Sequence, residues 1–184
     1  MRPGPAEERL AFDAAARAWE DGDFQRVRRE FGEFVARFPA STLRKQAEER
    51  VALAAADYLV SEQPDLLVLY MGDVDIHGHL YGWMSPDYLG AIERNDSAIG
   101  QVLARLEQAG LRDEYHVLVL ADHGGHDTDH GSDAPEDMLI PFILNGARIR
   151  TGHTVRSPFS LLDVARTVAH LMGFDAPGEW QGRP

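Results

Sequence analysis

The chain contains no cysteine, which excludes two classes of protein at once. Disulfide-stabilised scaffolds need paired cysteines, and most zinc fingers bind their metal through cysteine thiolates. Any metal ion that this protein binds must therefore be held by oxygen atoms and imidazole nitrogens. The absence of cysteine does not by itself define a cellular compartment.

Long apolar runs and positive charge are also scarce. No apolar run approaches the roughly 20 residues that a helix needs to cross a bilayer. Lys and Arg number 18 against 30 Asp and Glu, which gives a formal net charge of −12. Such a chain repels nucleic acids and anionic membranes, so neither is expected as a partner. If Met1 is the natural start, the lack of an apolar signal segment predicts a soluble, cytoplasmic protein.

The first third of the chain is predicted to be helical. Apolar residues recur at helical spacing over Glu7–Trp19, over Phe24–Phe38, and from a cap at Ser41 or Thr42 to about Glu62. Residues 1–63 are therefore predicted to form a helical segment, and no pattern within it is typical of a catalytic site.

The remainder of the chain, residues 64–184, is predicted to form part of an α/β domain. Three apolar runs predict buried strands, at Leu66–Met71, His116–Ala121 and Ile140–Leu144. Helices are predicted over 86–109 and 158–172. This order predicts a mainly parallel central sheet flanked by helices. Because ligands bind at the carboxyl ends of parallel strands, the polar loops after the first two strands, 72–85 and 122–137, are the candidate site.

Aspartate and histidine are concentrated in those two loops. Carboxylates and neutral imidazoles together suit zinc, manganese or iron. Asp and Gly are also common in solvated turns, which is the alternative interpretation. Two such clusters, each directly after a predicted buried strand, favour a metal site. Within these loops, the stretches 73–79 and 122–131 hold five of the eight histidines and five aspartates: His77, His79, His123, His126, His130, Asp73, Asp75, Asp122, Asp127 and Asp129.

Three motifs in these loops carry a family resemblance: Asp75-Ile76-His77-Gly78-His79-Leu80-Tyr81-Gly82, Ala121-Asp122-His123-Gly124-Gly125 and His130-Gly131. They resemble the second half of the alkaline-phosphatase superfamily, nearest the type I phosphodiesterase/nucleotide pyrophosphatase group. The similarity extends from about Pro64 to Gly182. It implies a partial alkaline-phosphatase-like sandwich that acts on a small-molecule phosphate ester by two-metal phosphoryl transfer.

The resemblance also implies which residues bind metal. Asp75, His79 and His130 would bind one divalent ion, and Asp122 and His123 would bind a second. Zinc is the expected metal, with manganese as the alternative. Of the neighbouring residues, His77 and His126 are expected to support the ligands or to face solvent. Asp73, Asp127 and Asp129 are expected to be loop carboxylates that add negative potential.

Two parts that the resemblance implies have no counterpart in this sequence. The first half of the superfamily supplies an aspartate for the second ion and a Thr or Ser nucleophile. Thr42 precedes a helix but is typical of an ordinary cap, so the catalytic nucleophile stays unassigned. We therefore expect the carboxyl-terminal part of a longer enzyme, with an incomplete second metal site.

Other interpretations of the same residues stay open. Tyr81 and Trp83 are predicted to line a substrate pocket, although aromatic residues after a strand are as often plain core. The chain as a whole is predicted to be a metal-dependent phosphodiesterase or phosphatase. The alternatives are a non-catalytic metal-binding or interaction module, or another superfamily member such as a phosphatase, sulfatase or phosphomutase.

Overall fold

A computed structural model describes residues 5–38 and 41–184. These residues form two compact units, the first comprising the described residues up to Arg112 with Gly125–Gly131, and the second comprising Asp113–Gly124 with Ser132–Pro184. The elements, in chain order, are α1 (Pro5–Glu20), α2 (Phe24–Arg37), α3 (Arg44–Glu62), α4 (Asp73–Tyr81), α5 (Pro86–Gln108), β1 (Val117–Leu120), α6 (Pro135–Met138), β2 (Phe142–Asn145) and α7 (Leu161–Leu171).

The helices predicted for the first third of the chain are confirmed as α1, α2 and α3. Local capping explains where helices begin. The carboxylate of Asp23 accepts a hydrogen bond of 3.0 Å from the backbone of Arg26 in the first turn of α2. The hydroxyl of Ser85 does the same for Tyr88 in α5, at 3.2 Å, with Pro86 at the first helical position.

The core of the first unit is aromatic. Phe12 of α1 contacts Phe31 and Phe34 of α2 edge to face, with ring centroids 5.5 Å apart in both pairs. Phe38 extends the cluster, its ring centroid 5.1 Å from that of Phe34. Helix α2 packs on α1 and α3, α3 packs on α5, and α5 packs on α4. This stack fixes the position of α4, which carries the first acid–histidine motif.

The prediction of a loop over 72–85 is wrong for most of that range, because Asp73–Tyr81 forms helix α4. Aspartates in the first turn and a histidine in the last turn suit the helix dipole. Gly82, with a φ of 93°, ends the helix in a conformation that residues with a side chain rarely adopt. The helix turns by about 200° over two residues, so Asp73 and Asp75 lie on opposite faces.

The predicted strand at Leu66–Met71 is not formed. Leu66, Val68 and Tyr70 are 55%, 81% and 76% exposed, and a single extended segment without a neighbour cannot satisfy strand hydrogen bonds. The second and third predicted strands are present as β1 and β2, which pair antiparallel from Val117–Asn145 to Leu120–Phe142. A mainly parallel central sheet is therefore not confirmed within 5–38 and 41–184.

The second unit also contains the last helix, α7. It begins at Leu161, three residues after the predicted start, because Ser160 and Asp163 form a capping box. The carboxylate of Asp163 accepts the backbone N–H of Ser160 at 2.7 Å and that of Arg183, also at 2.7 Å. No helix in the described part of the chain is long and apolar enough to span a membrane.

Candidate metal centre

Asp75, His79 and His130 converge within the first unit. One ligand atom from each lies within 4.8 Å of the others. The Nε2 atoms of His79 and His130 are 3.5 Å and 3.6 Å from the same carboxylate oxygen, Oδ1 of Asp75. Asp75 and His79 are one helical turn apart on the same face of α4, whereas His130 comes from the loop 125–131. The structure thus brings together the three residues predicted to bind the first ion.

A backbone hydrogen bond fixes the tautomer of His79. Its Nδ1 lies 2.9 Å from the carbonyl oxygen of Thr128, and a carbonyl can only accept, so Nδ1 carries the proton. The lone pair is therefore on Nε2, which faces Asp75. Metal-binding histidines commonly donate their other N–H to a carbonyl or carboxylate in this way, which orients the ring.

The donor set fits a divalent transition-metal ion. Tetrahedral zinc with bonds of about 2.0–2.1 Å places its ligand atoms about 3.3 Å apart, close to the 3.5 Å and 3.6 Å between the histidine Nε2 atoms and Oδ1 of Asp75. Three protein ligands leave one coordination position for water or substrate, which distinguishes catalytic from structural zinc sites. The three side chains, which we call the metal triad, are each partly exposed, with 29–40% of the side chain accessible.

Two aromatic side chains adjoin the metal triad. The indole of Trp83 has its ring centroid 5.2 Å from that of His79 and 5.9 Å from that of His130. The ring centroid of Tyr88 lies 5.9 Å from that of the indole. Burial and, after it, the negative charge of Asp75 raise the pKa of the Tyr88 hydroxyl. The indole of Trp83 thus packs directly against both histidine rings of the triad.

The residues predicted for the second ion lie in the second unit. Asp122 and His123 follow β1 directly, and Nε2 of His123 is 3.8 Å from Oδ1 of Asp122. Nδ1 of His123 donates to the carbonyl of Gly124 at 2.7 Å, so its lone pair is also on Nε2. Asp122 is 76% exposed. Their role as ligands of a second ion stays a prediction.

Asp73 was expected to be a loop carboxylate that adds negative potential, but it lies buried in helix α4. Its side chain is 1% exposed and is held by two arginines. Nε of Arg44 is 2.8 Å from Oδ1, and Nη2 of Arg94 is 2.7 Å from Oδ2. A carboxylate is stable inside a protein only when paired in this way. The opposite face of α4 from the metal triad is therefore fastened by a buried ion-pair cluster.

His77 belongs to that cluster. Its Nε2 lies 3.1 Å from Nη2 of Arg94, which can only donate, so Nε2 accepts and the proton is on Nδ1. Nδ1 in turn lies 2.9 Å from the carbonyl oxygen of Asp73. Both ring nitrogens are engaged, which excludes His77 as a metal ligand in this arrangement.

Glu48 completes the buried cluster and is expected to make folding stability depend on pH. Burial and, after it, the charge of Asp73 raise the pKa of Glu48 to about 7, against the lowering effect of Arg44. The folded state then binds more protons than the unfolded state between the ordinary value of 4.5 and about 7. The free energy of unfolding should therefore fall by roughly 1–3 kcal/mol across this window as pH rises.

Glu48→Gln should flatten that part of the pH profile, measured by urea unfolding at several pH values. Glu49→Gln, the exposed neighbour on the same helix, controls for loss of a charge. A Glu48→Gln profile as steep as that of the wild type would contradict the assignment.

A pocket of about 260 Å³ opens beside the buried cluster. Its wall combines hydroxyl, cationic and aromatic side chains and includes Tyr81, one of the two predicted substrate-binding residues. Thr42 also lines this pocket. The lining residues are Ser41, Thr42, Arg44, Lys45, Asp73, His77, Tyr81 and Arg94.

Sequence reasoning missed Arg44, Glu48 and Arg94 as supports of the site. Arg44 and Glu48 are one helical turn apart, an arrangement typical of exposed surface pairs. Arg94 is 21 residues from its partner Asp73, so no local pattern links the two. The Asp73–His77 and Asp75–His79 pairs, each at i and i+4, were the one available signal that the motif is helical.

The sequence matches the family Type I phosphodiesterase / nucleotide pyrophosphatase over residues 5–150. Related proteins include the 2,3-bisphosphoglycerate-independent phosphoglycerate mutase of Haloarcula marismortui, 30% identical over 73% of this chain and 26% of that protein. Rat steryl-sulfatase is 27% identical over 72% of the chain and 28% of its own length. Venom phosphodiesterase 2 of Crotalus adamanteus is 34% identical over 35% of the chain and 8% of its own length.

The chain thus spans about a quarter of the length of the phosphomutases and the sulfatase that it matches. No solved structure matches it. The matched proteins fall within one superfamily, whose members use divalent metal ions, and the matched family acts on small-molecule phosphate esters. The family match covers most of the chain and includes the metal triad. The chain therefore belongs to the type I phosphodiesterase/nucleotide pyrophosphatase family of the alkaline-phosphatase superfamily.

Proposed function

We propose that this chain provides the metal-binding part of a hydrolase of phosphate esters, of the phosphodiesterase or nucleotide pyrophosphatase type. Asp75, His79 and His130 would hold one divalent ion, zinc or manganese. The observation that carries the proposal is the convergence of both histidine Nε2 atoms on one oxygen of Asp75. A hydrogen-bonded turn alone would not require both Nε2 atoms to approach the same carboxylate oxygen.

A bound divalent ion would supply positive charge for the phosphoryl oxygens and lower the pKa of an attacking hydroxyl or water. The protein's own residues have distinct parts in this. The carboxylate of Asp75 offsets the charge of the ion, and Thr128 holds His79 in the tautomer that can bind it. Asp122 and His123 would hold a second ion, for which the family resemblance implies a further aspartate that has no assigned residue.

Substrate binding is proposed for Trp83, whose indole packs against both histidines of the metal triad. Tyr81, the other predicted substrate-binding residue, lines a pocket with Lys45 and Arg94 on the opposite face of α4. The nucleophile has no assigned residue. Thr42 lines the same pocket but belongs to the turn that precedes α3, which favours a structural role.

Two measurements test this function. Calorimetric titration with Zn²⁺ or Mn²⁺ should show one tight site per chain, and a second site that is weaker or absent. Hydrolysis of bis(p-nitrophenyl) phosphate by the metal-loaded chain should be slow or undetectable, because we find no suitable hydroxyl nucleophile beside the proposed metal site among the residues that the structure describes.

The outcomes separate the candidate functions. If the chain binds neither Zn²⁺ nor Mn²⁺, the proposal is wrong. A non-catalytic metal-binding module would be favoured if the chain binds the metal ion tightly but hydrolyses no phosphodiester. The test should be repeated with the chain fused to the remaining residues of a longer relative. Fast turnover that survives Thr42→Ala would show that the chain contains a nucleophile other than this hydroxyl, such as metal-bound hydroxide.

A further inference from the structure

We propose that Trp83 is a positioning residue for the metal site: its indole holds His79 and His130 at the spacing that one ion needs. The inference rests on the proposed function, because it concerns the same metal triad. Trp83 is half-buried and follows α4 directly. Its ring meets that of His79 edge to face, at an interplanar angle of 89°, and meets that of His130 at 67°.

The two histidines come from different parts of the chain, so something must fix their relative position. Their ring centroids are 5.0 Å apart. Two hydrogen bonds join the segments: Nδ1 of His79 donates to the carbonyl of Thr128, and the backbone N–H of Trp83 donates to the carbonyl of Asp127 at 2.7 Å. Neither bond reaches the ring of His130. The indole contacts both rings and so bridges the two segments.

Two glycines make room for the indole. A Cβ atom at Gly78 would lie 2.8 Å from Cδ2 of Trp83, and one at Gly125 would lie 2.6 Å from the same atom. Both distances are shorter than van der Waals contact allows. Gly78 lies inside α4, where Gly costs about 0.8–1.0 kcal/mol relative to Ala. Helix propensity therefore disfavours this glycine, and the space occupied by Trp83 accounts for it.

The indole therefore acts on metal affinity through the imidazoles. With the indole present, the two rings stay close to the bound arrangement before an ion arrives. Without the indole, the ring of His130 would have to become ordered when the ion binds, and this ordering would weaken the binding. Residues that orient metal ligands are typically worth 10–100-fold in affinity.

Zn²⁺ affinity of the full chain tests the inference. Trp83→Ala should raise the Kd about 10–100-fold, and Trp83→Phe, which keeps an aromatic ring, should recover most of the loss. Trp180→Ala is the matched control, since that residue lies in the second unit. The visible spectrum of bound Co²⁺ should also change in Trp83→Ala, because the spectrum reports ligand geometry and a purely structural role would leave it unaltered.

Gly78→Ala separates positioning from a general loss of stability. This substitution favours the helix but pushes the indole away, so affinity should fall although α4 itself is not weakened. It also keeps the test valid if Trp83→Ala does not fold. Wild-type affinity in Trp83→Ala and Gly78→Ala would overturn the inference while leaving the metal site standing. Absence of binding in the wild type would overturn both.

Discussion

His130→Ala is expected to lower the affinity of the chain for Zn²⁺ by more than about 100-fold. Residues that merely orient metal ligands contribute 10–100-fold, so loss of one of three ligands should cost more. The substitution removes the Nε2 atom that lies 3.6 Å from Oδ1 of Asp75. Two protein ligands would remain, and both would come from α4.

Thermal unfolding offers a second measurement of the same effect. An ion present at 100 times its Kd stabilises the folded chain by about 2.7 kcal/mol. Added Zn²⁺ should therefore raise the melting temperature of the wild type and leave that of His130→Ala almost unchanged. His126→Ala is the matched control, because His126 lies exposed in the same loop. Equal affinity in His130→Ala and the wild type would show that the triad is not the metal site.

Asp73→Asn is expected to lower the free energy of unfolding by about 3–5 kcal/mol, the usual cost of removing one partner from a buried ion pair. The new side chain has nearly the same shape, so the effect is one of charge. Arg44, 3% exposed, would keep only Glu48 as a carboxylate partner, and the guanidinium of Arg94 would lose the carboxylate that it binds. Urea unfolding at constant pH measures the change.

Asp57→Asn gives the comparison at the surface. Asp57 pairs with Arg105 at 2.9 Å, a distance like those around Asp73, but both side chains are at least a third exposed. Exposed pairs contribute about 0–1 kcal/mol, so this variant should be nearly as stable as the wild type. Arg44→Met in the Asp73→Asn background should restore part of the lost stability, because it removes one buried positive charge that Asp73 no longer balances. A cost below 1 kcal/mol for Asp73→Asn would contradict the buried-cluster assignment.

The cluster also links folding to the proposed chemistry. Asp73 and His77 fasten one face of α4, while Asp75 and His79 lie on the other. Weakening the first pair should therefore loosen the helix that presents two of the three proposed metal ligands. Metal affinity in Asp73→Asn should fall as well, although neither Asp73 nor His77 faces the ion.

The local sequence was sufficient to predict several helices. Glycine, proline and capping residues define their ends, and α1, α2, α3 and α5 begin and end within a few residues of the predicted bounds. Helix α4 was missed because Asp and Gly favour turns, and its few apolar residues do not form a continuous stripe on one face. The predicted parallel sheet failed at Leu66–Met71, since strand formation needs a partner and the described residues provide none there.

The sequence by itself determined the family and which donor atoms a metal ion could find. Without cysteine, a metal can be bound only through oxygen and imidazole, and the acid–histidine motifs supply both. Which of those side chains meet was decided by tertiary structure. Packing on α5 and the register of α4 bury Asp73 between arginines and turn Asp75 toward His130. Two aspartates that are equivalent in a local motif acquire opposite roles because a helix places residues two apart on opposite faces.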